Sequence, residues 1–401
     1  MSFFPTTDIS FADSEAIDAY ARLRVSNPTT EFESKLLGDK NPLVWDDALL
    51  GVGALATYEV DRSTLVMSVP VSTISSVVRQ SKTRSNFHPG KSHEVLLSFC
   101  MDGTTAGVTK EAGYNDAENG ILLQFLGDTV QLTRRTNVTG AAVDVRVLQA
   151  AWSQDHFDGT GPSGATINWS LAQTMFIDFE WPTGRIRAGF VIDGKFWVGH
   201  KFLAANVLDR PSFGVPNLPI RYRIDAPTAL LQPATMQVMA SSVSTEGGSD
   251  EGLSTGITRT GYATAANTAF GPLMVLSQAD GAGFINLVPK NLSLACDTSA
   301  KFEWKLLLNP TFANPQPTLG ALTNWITTAD IALTNASAVT VGTTLASGVV
   351  DTSASEIDLS WVKAPTGQAG DGAADVICLA ISAIAGAAIT IHASFNWTEV
   401  R

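Results

Sequence analysis

The side chains best suited to chemistry are two carboxylates one residue apart. Asp178 and Glu180 lie in FIDFEW, residues 176–181. A strand with period two puts both on one face. That is the arrangement a glycoside-cleaving pair of acids needs. Their surroundings are apolar, with Phe176, Phe179 and Trp181 close in sequence. A paired or water-facing strand face is therefore a better reading than catalysis. The five histidines, His88, His93, His156, His200 and His392, show neither HExxH nor HxH spacing, and the three cysteines offer no CxxC. Zinc ligation has no support from such spacing. Cys100, Cys296 and Cys378 lie far apart in apolar text and read as buried thiols.

Asp116, Asp155 and Asp158 sit in the polar loops GYNDAENG and AWSQDHFDGTGPSG. Such loops can hold calcium, but the EF-hand order of ligands is absent, so a plain solvated loop is expected. No GxSxG elbow, Walker loop or GxGxxG occurs. No catalytic residue, metal or cofactor is expected, and the chain reads as non-enzymatic. The middle of the chain is richer in Arg than Lys: Arg134, Arg135, Arg146, Arg185, Arg187, Arg210, Arg221 and Arg223. The planar guanidinium suits bidentate pairing. Salt bridges or subunit contacts are the first reading, and sugar or phosphate binding the second.

The elements that position these groups are strands. Val66–Val71, Thr73–Lys82, His93–Met101, Gly120–Phe125, Thr129–Arg134, Thr174–Trp181, Arg185–Ile192 and Lys195–Phe202 all read as strands. Asp193-Gly194 is a strong hairpin signal. Residues 243–257, VSTEGGSDEGLSTGI, are Gly/Ser-rich and acidic, and read as a linker. Beyond them aromatics thin out. Phe302–Leu308, Ile331–Leu333, Ala338–Val341, Glu356–Val362, Ala374–Ala385 and Ala388–Trp397 are expected as strands. The fold class is all-β: two tandem β-sandwich, lectin-like or jelly-roll-like domains preceded by an extended N-terminal arm. The boundaries are 1–45 for the arm, 46–240 for the body, 241–257 for the linker and 258–401 for the second sandwich. Within the arm, EAIDAYARLR is a short helix-like stretch capped by Asp13 or Ser14.

Length and charge narrow the function. A chain of 401 residues implies two to three domains. Net charge −12 opposes a nucleic-acid footprint. No apolar run reaches the roughly 18 residues of a membrane span, and MSFFPTTDIS has no secretory pattern. Only 16% of residues are charged, well under the usual quarter. Neutral surfaces of that kind tolerate close packing against neighbours.

The leader carries DAYARLRVSNPTTEFESK, residues 18–35. This resembles the D-A-[FY]-x-R-L-R-V-S-x-P-x-T-x-F-x-S-K opening of a family of tailed-bacteriophage virion structural proteins. Four further segments are similar to that family, in order. They are SSVVRQSKTRSNFHPGKSHEVLLSF (75–99), GYNDAENGILLQF (113–125), HFDGTGPSGATINWSLAQTMFIDFEWPTGRIRAGFVIDG (156–194) and PNLPIRYRI (216–224). The resemblance covers residues 18–226. Tyr20-Ala21 stands where Phe-Gly is usual, and Pro182-Thr183-Gly184 replaces a Leu-Gly type turn. The family offers no catalytic or cofactor residues to carry over.

The resemblance implies a virion component made in the host cytoplasm, decorating the head as a spike or belonging to the tail. It also implies self-association, expected as a trimer, and contact with other virion proteins, with neither nucleic acid nor membrane as partner. An arm that cannot pack on itself is expected to pack on a neighbour. Arg22 and Arg24 would pair with that neighbour's acids, while Tyr20, Leu23, Val25 and Phe32 fill apolar grooves. A second reading is a receptor- or glycan-binding module using Trp152, Trp169, Trp181 and Trp197 for stacking. A third is a polysaccharide depolymerase acting through Asp178 and Glu180.

Overall fold

Alternation of apolar and polar residues decides most of the elements. His93–Cys100 buries Val95, Leu97 and Phe99 completely and leaves Glu94, Leu96 and Ser98 less covered. Burying one such side chain contributes about 1.5–3 kcal/mol. The computed structural model describes residues 17–400 apart from 20–21, 72–73, 249–251, 266–268, 280–284, 299, 314–315, 323–326, 335–337, 341, 352–353, 363–372 and 386. The chain divides into two units. One takes the described residues up to 81 and those of 85–249, and the other takes 82–84 and those of 250–401.

The described residues of the first unit form fifteen strands. In order they are β1 Thr29–Ser34, β2 Trp45–Leu50, β3 Leu55–Glu59, β4 Thr64–Val69, β5 Ser75–Ser81, β6 His93–Cys100, β7 Thr109–Asn115 and β8 Gly120–Leu126. There follow β9 Thr129–Thr136, β10 Val143–Leu148, β11 Ala172–Phe179, β12 Ile186–Ile192, β13 Lys195–Phe202, β14 Ile220–Ala226 and β15 Ala234–Thr245. One sheet runs β13-β12-β11-β6-β15-β4-β3, with β1 also paired to β15. The other runs β10-β9-β8-β7-β14-β5-β2. Their facing sides bury one continuous apolar core, including Leu97, Phe99, Ile177 and Phe190 from the first sheet and Leu123, Phe125, Tyr222 and Ile224 from the second. This is a β-sandwich of two antiparallel sheets.

The second unit contains β16 Leu253–Ala263, β17 Gly271–Gln278, β18 Asn286–Cys296, β19 Phe302–Leu308, β20 Thr311–Phe312 and β21 Gly320–Ala321. It continues with β22 Thr327–Asp330, β23 Val339–Thr340, β24 Thr343–Val350, β25 Ala354–Asp358, β26 Val376–Ala383 and β27 Thr390–Val400. Its sheets run β16-β27-β18-β25 and β21-β22-β17-β26-β19-β24, with β20-β23 apart. Leu292, Phe395 and Trp397 of the first pack with Leu306, Leu379 and Ile381 of the second. The fold is all-β, with two jelly-roll-like sandwiches, as the alternation predicts.

Three expectations about elements change. The helix expected over residues 15–24 is absent from its described part. Ile17 and Leu23 form an antiparallel bridge, and the Asp18 N–H donates to the Arg22 carbonyl at 2.8 Å. A helix of ten residues has little stability of its own, and pairing along a sheet surface replaces it. Ile331–Leu333 is not a strand, because the Asp330 carboxylate accepts the Ala332 N–H at 2.8 Å and turns the chain. The strand expected over Glu356–Val362 stops at Asp358, whose carboxylate accepts the Ser360 N–H in the same way. Asp side chains that capture a backbone N–H two residues on make turns of this kind. Around the expected linker, β15 runs on to Thr245 and β16 begins at Leu253.

Candidate functional site

The two carboxylates singled out by period two lie in a cluster of charges in the first unit. Register explains the arrangement. On β11, Asp178 stands opposite Glu94 of β6 and Arg187 of β12. The three make a row on one sheet face, where directly opposed side chains meet. Arg187 donates through Nε to Asp178 Oδ2 at 3.0 Å and again through Nη2. The Ser92 hydroxyl donates to Asp178 Oδ1. Asp178 and Arg187 are buried.

The leader closes this row. Arg24 reaches Asp178 Oδ2 at 2.9 Å and donates to Glu94 Oε2 at 2.8 Å. Arg24 Nε donates to the Ile17 carbonyl at 3.1 Å, and Arg187 Nη2 donates to the same carbonyl at 2.6 Å. Glu246 lies 3.5 Å from Arg24. Arg22 donates to Asp18 Oδ2 at 2.5 Å and to the Gly90 carbonyl at 3.1 Å. The bridge between Ile17 and Leu23 therefore lies over the carboxylates, held at both ends by arginines.

Glu180 follows β11 and is fully buried, yet neither carboxylate oxygen has a hydrogen-bond partner among the described residues. Its nearest cation is Arg22, at 3.7 Å. Burial pushes its carboxyl up to about 8, against the pull of Arg22 and with further upward pushes from Asp18, Asp178 and Glu246. The chain folds back on it through Pro182 to Gly184. A Cβ at Gly184 would lie 2.4 Å from the Glu180 Cβ, so only glycine fits that close approach. Charge balance agrees with the shift. Four guanidiniums, of Arg22, Arg24, Arg185 and Arg187, meet five carboxyls, of Asp18, Glu94, Asp178, Glu180 and Glu246. A proton on Glu180 makes the count even.

The leader residues proposed to meet a partner are thus divided. Arg22 and Arg24 turn inward onto their own sheet, which differs from the expected pairing with a neighbour. Phe32 is in the core, edge-on to Trp45 at 5.6 Å between ring centroids. Leu23 is about half exposed and Val25 is 90% exposed. Tyr20 lies outside the described residues. Glu94, Ser92 and Glu246 carry no local signal as the leader's counterparts, since they sit 70 or more residues away from Arg24 or Asp178 along the chain.

The other candidates have structural employment. Asp155 accepts N–H groups from Phe157 and Ser163 at 2.8 and 2.7 Å, and Asp116 accepts from Glu118 and Asn119 at 2.8 Å each. Asp158 accepts from the N–H and hydroxyl of Thr160. Each carboxylate ties its own loop. His93 is buried against Phe87 and Phe179, and burial lowers it to about 3, so it is neutral. The three cysteines are free and buried. Trp152 lies in the core, and Trp169, Trp181 and Trp197 pack against it, so the four do not form the open stacking platform considered from sequence.

No protein-family model matches the chain, and no curated protein matches it. Solved structures do match its fold. A beta-1,3-glucanase from Mycobacterium marinum is 14% identical, with TM-score 0.36, over 54% of this chain and 98% of that one. A glycoside hydrolase family protein from Mycobacterium thermorestibile is 12% identical, with TM-score 0.37, over 53% and 99%. The Bacillus licheniformis beta-glucanase is 13% identical, with TM-score 0.33, over 54% and 98%. These findings correct the expectation of a non-enzymatic chain, because the structures it matches are glucanases and glycoside hydrolases. At this level the likeness assigns no activity to the chain itself.

Proposed function

We propose that the chain is a structural component of a tailed-phage virion, of head-decoration or spike type, assembling with itself and with other virion proteins. The observation that carries the assembly part is an open apolar edge on the first unit. The end strands β2 and β3 each have a neighbour on one side only among the described residues. Between and beside them Leu50, Val52 and Ile74 are 65%, 85% and 64% exposed. A Cβ at Gly51 would lie 2.3 Å from the Ile74 carbonyl oxygen, so these side chains belong to one patch. An unpaired edge with exposed apolar residues is a pairing surface unless something covers it.

The virion part comes from the resemblance over residues 18–226, and the geometry supports it. The segments that carry the resemblance meet in one place. Asp18, Arg22 and Arg24 come from the first, Ser92 and Glu94 from the second, and Asp178, Glu180, Arg185 and Arg187 from the fourth. A second meeting joins the third segment to the fifth. The Tyr114 hydroxyl donates to the Pro216 carbonyl at 3.1 Å and accepts the Leu218 N–H at 3.2 Å.

The test uses purified particles of the phage that encodes the chain. Mass spectrometry is expected to find the chain in banded particles, and its absence from them sinks the reading. The double substitution Leu50→Asp with Val52→Asp is expected to lower incorporation at least tenfold. As solvent-facing changes, the two are expected to alter stability by less than about 1 kcal/mol in sum. Light scattering on the free protein, with a trimer expected, reads the same surface in solution.

A further inference from the structure

The outward face of the second sheet of the first unit carries a cationic cleft in a chain whose net charge is −12. Its volume is about 350 Å³, and Arg135, Arg146, Arg221, Arg223, Asp144, Ala117 and Ala142 line it. Register brings these residues together from distant segments. Arg221 and Arg223 of β14 stand opposite Gly113 and Glu111 of β7. Glu111 faces Gln124 of β8, and Arg135 and Arg146 face Asp144 and Thr133 across β9 and β10.

Most of the charges have partners. Arg135 donates to Asp144 at 2.8 Å and to Glu111 at 3.1 Å. Arg146 donates to Asp144 at 2.9 Å and to Gln124 at 3.3 Å, and Arg223 sits 3.0 Å from Asp225. Arg221 differs. It is 9% exposed, makes no ion pair among the described residues, and bonds a neutral partner, Gln80 Oε1, at 2.8 Å. Its Nε is buried with no hydrogen-bond partner. Burial lowers its guanidinium to about 10, with Glu111 and Asp116 pulling it up and Arg223 and Arg135 pushing it down. The lining sets four guanidiniums beside the Asp144 carboxylate, and Glu111 and Asp225 pair with Arg135 and Arg223 from outside it, which leaves Arg221 as the lining guanidinium with no ion pair among the described residues.

We propose that this cleft binds the anionic group of an acidic saccharide, with Arg221 as the central contact. A cleft-lining guanidinium that has no carboxylate partner is a preorganised donor for a carboxylate, phosphate or sulfate oxygen. The remaining lining is polar apart from two alanines, so it offers hydrogen bonds to hydroxyls and little to an aromatic or aliphatic ligand. Its size suits one or two sugar rings. The strongly negative chain disfavours an extended polyanion, which leaves a ligand carrying an isolated charge. The inference stands independently of the virion reading.

The experiment is calorimetric titration of the full chain at low salt with glucuronate, inorganic phosphate and glucose. Glucuronate is expected to bind saturably and phosphate at least tenfold more weakly, with no saturable heat from glucose. Arg221→Lys keeps the charge and removes the fork, and is expected to weaken glucuronate binding at least tenfold. Arg223→Ala, at a less buried position, is expected to weaken it severalfold and serves if the first variant does not fold. Raising the salt to 0.3 M is expected to weaken binding further. The proposal is overturned if glucuronate does not saturate, if glucose binds equally, or if folded variants bind as the parent does. Phosphate binding as tightly as glucuronate overturns the saccharide assignment.

Discussion

Replacing Arg187 with alanine is expected to destabilise the first unit by about 3–5 kcal/mol, the usual cost of removing one partner of a buried ion pair. Arg187 and Asp178 are 2% and 1% exposed. Without Arg187, Asp178 keeps the Ser92 hydroxyl and Arg24 among the described residues, and Arg24 is shared with Glu94 and Glu246. The variant also removes a donor from the Ile17 carbonyl, which loosens the leader. Urea unfolding followed by tryptophan fluorescence reads the effect, with a change in midpoint and little change in slope. The companion variant Asp178→Leu with Arg187→Met is expected to recover much of the loss, because it leaves no unpaired buried charge. A loss under about 1 kcal/mol for Arg187→Ala means that the pair is not held as described.

The sandwich was legible in the sequence because its signals are local. Asp193 and Gly194 both have positive φ, at 50° and 74°, as the two-residue hairpin read there requires. Val95, Leu97 and Phe99 alternate into the core from His93–Cys100 as written. The site was half legible. Period two put Asp178 and Glu180 on one face, but nothing local says that this face is covered. The cover comes from the leader, about 155 residues earlier in the chain. Arg24 looks free in sequence because its partners Glu94, Asp178 and Glu246 are remote, whereas Arg22 pairs with Asp18, four residues before it. The same limit hides the cationic cleft. The sequence offered its arginines for salt bridges or subunit contacts first and for sugar or phosphate second, and only the order β10-β9-β8-β7-β14 brings them to one place.

Glu180 gives the second large effect, a stability that falls as pH rises. Its carboxyl is raised from 4.5 to about 8 in the folded chain. Between those values the folded chain holds a proton that the unfolded chain has released, so rising pH favours unfolding. The contribution is fully present below about pH 4.5, is lost progressively up to about pH 8, and changes no further above that. Arg22, whose side chain is 53% exposed, sits in water that screens the site, so the loss is expected to be about 2 kcal/mol instead of the full linkage value. Glu180→Gln keeps the shape and removes the titration. It is expected to flatten the slope between pH 5 and 8 and to leave the variant more stable than the parent near pH 8. Urea midpoints across that range read both. A parent slope that Glu180→Gln leaves unchanged would mean that another group titrates there. The same proton decides the leader's hold. When Glu180 ionises, the cluster carries one more carboxylate than guanidinium, and the uncompensated charge lies beneath Arg22. Arg22 is the one arginine of the cluster exposed enough to be drawn further onto it, so the leader is expected to tighten there while the body beneath it weakens.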